Sequence, residues 1–425
     1  MYRDILVIGA GVLGLSSAFH LKRLNPDRRV LVIDRFGGPG QGNTAKSAGI
    51  FLNLFTTEIN YLLSDSTIDW FFRLQNELGY NLNLAQYGYL YLLDEARYNE
   101  LKEPVSEMRS RGIDVRTFER EELERMIPDL VTDFGEEETE VMGLEPVEAG
   151  VMGVKCGSVN TDALARSLEA EFLKLGGEVR YNTAATRLIV EPEKELGIAG
   201  DPFVWQDIHV TGAETSGGDI RAGTTVVAAG VWSERLLDPI GFDSMMRPKK
   251  RVIFVFKDPK LRRLREAKGF SGHNTLPFTH IPEISVYMKV DPTEGSIWLG
   301  CADDFGRRYG LEDDPQPERD LYSNNIYPAL VKFLPCFENV RPVNMWAGQR
   351  AINRYDRTPV VAGAPGMIYV GSATGYGITK CDALGRTVAA LYADEEEVEL
   401  YGGRRFKAAD LGIETRNVGK ETFKV

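Results

Sequence analysis

Residues 5–14 read ILVIGAGVLG, four large apolar residues followed by glycines at 9, 11 and 14. Four such residues in a row suit a strand buried on both faces. The G-x-G-x-x-G spacing then marks a turn from strand into helix. Gly9 permits the tight turn, Gly11 lets backbone approach a pyrophosphate, and Gly14 lets the helix pack against the strand. Val12 and Leu13 open that helix, whose first N–H groups and positive dipole end face the phosphates. SSAFHLKRLN (16–25) continues the helix, and RVLVID (29–34) supplies a second buried strand, so a βαβ unit is complete by residue 34. Asp34 ends that strand twenty positions after Gly14. A carboxylate there can accept from ribose hydroxyls and repels a 2′-phosphate, with Arg35 beside it. The stretch predicts a dinucleotide site; NAD and FAD stay open at this point.

Outward from this unit, helical spacing of large apolar residues covers 68–78, and YGYLYLL (87–93) alternates like a half-exposed strand. Tyr87, Tyr89 and Tyr91 read there as sheet packing. Charged helical segments follow at 95–111 and 119–126, and GEEETE (135–140) reads as a solvated loop. TDALARSLEAEFLKLGG (161–177) is an amphipathic helix with a glycine stop, and strand material follows at 178–191 and in TTVVAAGVW (224–232). RVIFVF (251–256), ISVYMKV (284–290) and SIWLGCA (296–302) look like an antiparallel sheet. MIYVGSA (367–373) is a last buried strand leading into a second glycine loop, TGYGITK (374–380), and then a helix. The tail, 396–425, is polar and lacks a strong period.

With 425 residues the chain is too long for one ordinary core. The order of patterns predicts an α/β protein: a Rossmann-type cofactor domain assembled from 1–85, 145–238 and 342–395, and an α+β substrate domain, mainly antiparallel, from 86–144 and 239–341. Net charge is −12, against the basic face a nucleic-acid binder needs. The four cysteines (156, 301, 336, 381) have no metal-type spacing, no metal is expected, and a reducing cytoplasm is the simplest setting. Glycines, serines and His20 interrupt the apolar run at 5–21, so it is not read as a signal peptide. No stretch has the length of a spanning helix; attachment to the inner membrane face, a subunit contact and an oligomer stay open.

Taken in order, GAGVLG…VIDR, Ser47-Ala48-Gly49, VNTDALARSL, TTVVAAGVWS, RPKKRVIFVF, WAGQRAINRYDRTPVV and YVGSATGYGITKCDALGRTVAAL span residues 3–393. This succession resembles the FAD-dependent amine and amino-acid oxidoreductases, the family of D-amino-acid oxidase, glycine oxidase and sarcosine oxidase. The resemblance implies FAD. Ser47, Ala48 and Gly49 would form a flavin-contacting loop, and Ala229, Gly230 and Trp232 a cofactor element after a strand. Gly348 would stand near the ring, with Gly375, Tyr376, Gly377, Ile378 and Thr379 in a loop against it, where a following helix N-terminus favours the charge of the reduced ring. The loop after Trp346 lacks the cysteine that some members use for attachment, so FAD is expected to be noncovalent. Arg350 resembles the family's carboxylate-binding arginine. Lys380 falls one step past a carboxylate-binding lysine, and either Thr379 or Lys380 would face the substrate. Tyr287 would wall the substrate side; His273 and His280 are expected to be noncatalytic. Trp298 falls where sarcosine-type oxidases carry an oxygen-activating lysine, which points to a dehydrogenase passing electrons to a quinone or dye. SIWLGCADDFGRRYGLEDDPQPE and VELYGG look like those of dye-linked L-proline dehydrogenases. The expected reaction is hydride removal from the Cα of a small amino acid, proline first, then sarcosine, glycine or a D-amino acid. A 2-hydroxy-acid or glycerol-3-phosphate dehydrogenase, or an accessory FAD subunit of a larger complex, are the alternatives.

Overall fold

Two eight-stranded sheets organise the chain. The structure is a computed structural model, and it describes residues 2–134, 137, 141–198, 200–282, 285–291, 293–302 and 307–422. The acidic stretch 135–140 therefore lies outside the described residues, apart from position 137.

The first sheet runs Val360–Ala364, Met367–Gly371, Ile220–Val227, Tyr2–Ile8, Val30–Ile33, Glu178–Arg180, with Ile208–Thr215 and Ala185–Pro192 continuing from Ile220–Val227. Tyr2–Ile8 pairs in parallel with both neighbours, as a doubly wound sheet requires. Its residues Ile5, Leu6 and Val7 are fully buried, which is why the run carries no alternation. The helix Val12–Leu24 follows the glycine loop and packs on the helix Cys381–Tyr392. Gly385 permits their contact: a Cβ there would lie 2.7 Å from the Ser16 backbone. A buried pair, His20 Nε2 and Asp382 Oδ1 at 2.7 Å, joins the same two helices, and Asp382 also takes the Arg386 guanidinium.

The second sheet runs Asn344–Asn353, Met246–Phe256, Ser296–Cys301, Val286–Asp291, Phe278–Ile281, Tyr89–Leu93, Ala149–Gly153, Val115–Glu119. It is antiparallel except where Phe278–Ile281 pairs with Tyr89–Leu93. Two of its strands come from ranges expected in the cofactor domain, Ala149–Gly153 from 145–238 and Asn344–Asn353 from 342–395. The latter pairs with Met246–Phe256 over ten positions, so the segment that carries Arg350 belongs to the second sheet.

Three further elements differ from expectation. The strand Tyr89–Leu93 is buried along its length: Leu90 and Leu92 enter one core, while Tyr89, Tyr91 and Leu93 enter another. Tyrosines on one face imitate a solvated face in sequence, but here that face is packed. The helix expected at 68–78 is Glu58–Asn76. Its first half hid because Asn60, Ser64, Asp65, Ser66 and Thr67 are buried despite being polar. The tail is part of the cofactor-domain core. Glu397–Glu399 and Arg405–Lys407 form a hairpin, and Val398, Leu400, Phe406 and Leu411 pack beneath it. Among the described residues no helix is long and apolar enough to cross a membrane.

Candidate active site

A cavity of about 600 Å³ lies where the two sheets meet, within the range of cofactor and ligand sites. One end is built by the first glycine loop. Gly9, Gly11, Val12 and Leu13 line it, and the first-turn N–H groups there lack intrahelical acceptors. Gly9 has φ +114°, and a Cβ would lie 2.5 Å from the Ala228 carbonyl oxygen. Gly14 does not line the cavity; a Cβ there would sit 1.9 Å from the Gly9 oxygen, so it acts through packing. Beside them, Ala229, Gly230 and Trp232 line the wall.

Asp34 lines this end with each carboxylate oxygen already taking one backbone N–H: Ala10 at 2.6 Å and Phe36 at 2.8 Å. Burial raises its carboxyl above the ordinary value, against the pull of those two donors. Each oxygen keeps a lone pair for a ligand hydroxyl. The Arg35 guanidinium lies 4.0 Å from the Trp232 ring centre and 4.6 Å from that of Phe36. Asp313, in the loop before 318, accepts both forks of Arg235 at 2.8 and 2.9 Å and stands 3.6 Å from Arg35. That loop, legible in sequence only as a turn, thus reaches the rim of this end of the cavity.

The other end is aromatic and carries one guanidinium. Arg350 lines it, 5.7 Å from the centre of the Tyr287 ring. Gly375, at φ +86°, packs on the Arg350 side chain; a Cβ would come within 3.1 Å of Nε. Among the described residues no carboxylate pairs with Arg350. Tyr287 rests over Gly300, which has no side chain to displace the ring, and stacks on Phe278 at 5.4 Å. Phe278 in turn meets Tyr89 at 4.5 Å. Tyr89 and Phe278 both line the cavity, so the tyrosine strand is more than sheet packing. Their signal was the aromatic alternation itself, read for the wrong partner. His280 stands behind this wall, its ring 5.3 Å from Tyr91 and outside the cavity.

Gly375, Tyr376, Gly377 and Ile378 line the ring side. The helix expected after this loop begins at Cys381, as its sequence predicts, and the cavity faces the turn before it. Neither Thr379 nor Lys380 lines the cavity. The Thr379 hydroxyl bonds to the Leu52 N–H and carbonyl at 3.1 and 3.0 Å, and Lys380 Nζ donates to Asn60 Oδ1 at 2.5 Å. Both are engaged behind the wall, which corrects the expected role of Lys380 as a substrate contact.

Ser47 and Ala48 line the cavity, but Gly49 does not: it has φ +67°, and a Cβ would lie 2.4 Å from the Val159 oxygen. The loop 43–48 is held by the second sheet. Gln349 N donates to Asn43 Oδ1 at 2.9 Å, Trp346 Nε1 to the Lys46 oxygen at 3.0 Å, and Lys289 Nζ to the Ala48 oxygen at 2.9 Å. Gly348, which lines the cavity, lets Lys46 approach: a Cβ there would lie 3.0 Å from that of Lys46. Lys289 was missed in the sequence. It pairs across strands with Trp298, its Nζ is 4.2 Å from that ring centre, and burial lowers its ordinary value against Asp291.

The glycine cradle, the strand-tip acid and the aromatic far end fit an elongated dinucleotide carrying a planar redox ring. The sequence matches the family described as DAO, FAD dependent oxidoreductase, over residues 4–391. The chain belongs to that family of FAD-dependent oxidoreductases, and FAD is its cofactor. Among relatives, it is 23% identical to FAD-dependent oxidoreductase domain-containing protein 1 of Bos taurus, covering 91% of this chain and 80% of that protein. It is also 23% identical to glycine oxidase of Pseudomonas aeruginosa, covering 94% of this chain and 97% of that protein. The crystal structure of L-proline dehydrogenase from P. horikoshii shares the fold with a TM-score of 0.74 at 18% identity, covering 92% and 94% of the two chains.

Proposed function

We propose that the protein oxidises a small amino acid at its Cα–N bond, with proline as first substrate and sarcosine, glycine or a D-amino acid behind it. The observation that carries this reading is Arg350: a guanidinium facing the cavity, without a carboxylate partner among the described residues, between Tyr287 and the Gly375 turn. A planar fork there suits a substrate carboxylate held bidentately. Tyr89, Phe278, Tyr287 and Tyr376 give the rest of that end an apolar surface for a small side chain or ring. Arg251, also on the lining, donates to the Lys250 and Ala302 carbonyls.

When bound, FAD would supply the acceptor for a hydride from the substrate Cα, leaving an iminium that becomes the imine once its N–H proton passes to solvent. The chain contributes position. Arg350 fixes the carboxylate, the rings exclude water, and the turn 375–378 fixes the far wall. Among the described residues lining the cavity the carboxylate is Asp34, at the opposite end, and there is no histidine. A neutral amine that loses hydride needs no side-chain base, which agrees with this. We favour a dehydrogenase that passes electrons to a quinone or dye: by the resemblance, Trp298 falls where sarcosine-type oxidases carry an oxygen-activating lysine, and the Lys289 ammonium beside it is committed to the Ala48 carbonyl. FAD is held noncovalently in this reading.

Anaerobic mixing with proline enantiomers, sarcosine, glycine and 2-hydroxy acids, followed at the visible flavin band, tests the reading. Bleaching by one or more amino acids is the expected result. Bleaching by 2-hydroxy acids alone overturns it, and rapid peroxide formation in air overturns the dehydrogenase part.

A further inference from the structure

Behind the Tyr376 wall lies a buried polar chain that starts near the C-terminus. Lys380 is 0% exposed, and its Nζ stands 4.2 Å from the Phe55 ring centre and 4.9 Å from that of Tyr376. Those two rings meet edge to face at 5.0 Å. A buried ammonium is costly unless its donors are satisfied and a counter-charge is near. Asn60 Oδ1 supplies one acceptor at 2.5 Å. Burial brings Lys380 down to about 7, and the opposing charge is the Glu421 carboxylate.

Glu421 is only 2% exposed although it comes from the tail. It accepts from the Thr56 N–H and hydroxyl at 2.9 and 2.5 Å, and from those of Thr57 at 3.2 and 3.0 Å. Asn60 Nδ2 also donates to it, at 3.3 Å. The amide of Asn60 is thereby oriented. Its nitrogen faces three acceptors, Glu421, Thr57 Oγ1 and Thr358 Oγ1, which leaves its oxygen to the ammonium. Reversing the amide would set its N–H groups against the Lys380 donors. The strap that brings Glu421 there is anchored independently by Arg416 on Asp356, at 2.5 and 2.7 Å, and by Arg97 on the Thr422 carbonyl at 3.1 Å.

We propose that the C-terminal strap completes the substrate wall: Glu421 is a positioning residue that orients Asn60 and, through it, sets the Lys380 ammonium behind the Tyr376 ring, which lines the redox end of the cavity. The assignment of that end to substrate rests on the proposed function. The groups that face Lys380 are Asn60 from the helix Glu58–Asn76, Phe55 from the segment before it, Tyr376 from its own turn and Glu421 from the tail.

The test uses the FAD-loaded full chain as wild type, Glu421→Gln, Glu421→Asp, Lys380→Met and the double variant Glu421→Gln with Lys380→Met. Two readouts are taken: the pH dependence of the visible flavin spectrum near neutrality, and half-saturation for the amino acid that bleaches the flavin. Loss of the carboxylate leaves the ammonium less supported, so Glu421→Gln shifts the spectral step to lower pH, and Glu421→Asp restores part of it. Half-saturation rises about fivefold to thirtyfold, the scale of one to two kcal/mol. Lys380→Met abolishes the step, and the double variant is no worse than Lys380→Met, because both act through one group. A Glu421→Gln protein that melts earlier but keeps the wild-type spectrum and half-saturation overturns the proposal, as do effects that simply add. If Glu421→Gln fails to hold FAD, Lys380→Met decides alone, and an unchanged pH step there overturns it. A wild type that no amino acid bleaches sinks the proposed function instead, and the coupling is still read in the flavin spectrum.

Discussion

The two glycine loops share a composition and differ in what surrounds them. In the first, backbone meets backbone: Gly9 faces the Ala228 carbonyl, and Gly14 faces Gly9. In the second, backbone meets side chain. Gly375 packs on Arg350, and the nearest atom to a Cβ at Gly377 is the Ala373 methyl at 3.7 Å. A carbonyl in a sheet cannot yield, whereas a guanidinium side chain can swing. Gly9 and Gly14 of the first loop therefore tolerate no replacement, although Gly11 between them meets only the Thr44 hydroxyl at 3.4 Å, while the second loop trades substitution for a displaced Arg350. The first belongs to the construction of the fold, and the second to the tuning of its site.

Gly14→Ala breaks this contrast most severely if it is wrong. The added methyl has nowhere to go, and overpacking of this kind costs about 4 kcal/mol or more. We expect a protein without FAD or without a cooperative melt, measured by flavin content and calorimetry. Next comes Arg350→Ala, which should keep FAD but raise half-saturation for a carboxylate substrate. A lost charge partner is worth about 2–5 kcal/mol, so the rise is roughly thirtyfold or greater. Unchanged half-saturation removes Arg350 from the substrate. Gly375→Ala, by contrast, should fold and bind FAD. Its left-handed φ of +86° costs an alanine about 1–2 kcal/mol, and the displaced Arg350 should weaken substrate binding about tenfold. Loss of FAD from Gly375→Ala would erase the distinction between the loops.

The smallest effect concerns pH at the helix pair behind the first loop. Burial holds His20 below its ordinary value of 6.5, and Asp382 opposes this only in part. Its folded-state value is the lower one, so the unfolded chain binds the extra proton first. Stability is therefore full above 6.5 and falls as pH drops through that value toward 4. Thermal midpoints across this range should decline, and His20→Gln should flatten that decline.

Much of the first loop was legible because its elements are contiguous, even though Gly9 also packs on the distant Ala228 carbonyl. Strand, turn and helix follow within twenty residues, and a run such as Ile5–Ile8 has one reading when both faces are buried. The second loop was legible as a loop but not in its direction. Whether Thr379 or Lys380 faced the cavity depended on Asn60 and Leu52, more than 300 positions away. Arg350 was found by its motif. Its strand was assigned to the other domain, because strand membership follows from pairing with Met246–Phe256 and not from its own residues. Lys289 and Tyr89 were passed over for the same reason, since a lysine or tyrosine in an alternating strand reads alike whether its face meets water or another domain.

Local periodicity and glycine spacing were enough to predict a Rossmann-type core, because each depends on residues within a few turns of one another, and the order of motifs along the chain pointed to an FAD-dependent oxidoreductase, the family that its sequence matches. The arrangement of the far end required the folded chain. A tail that is polar and without a strong period in sequence sends Val398, Leu400 and Phe406 into the core and Glu421 into a buried network. Such a segment carries no amphipathic period of its own, since its burial is supplied by partners from elsewhere in the chain: the helix Cys381–Tyr392, the strand Val360–Ala364 and, for Glu421, residues 56–60. Water exclusion is a property of the assembled surface, and that is why it could be read only after the chain had closed upon itself.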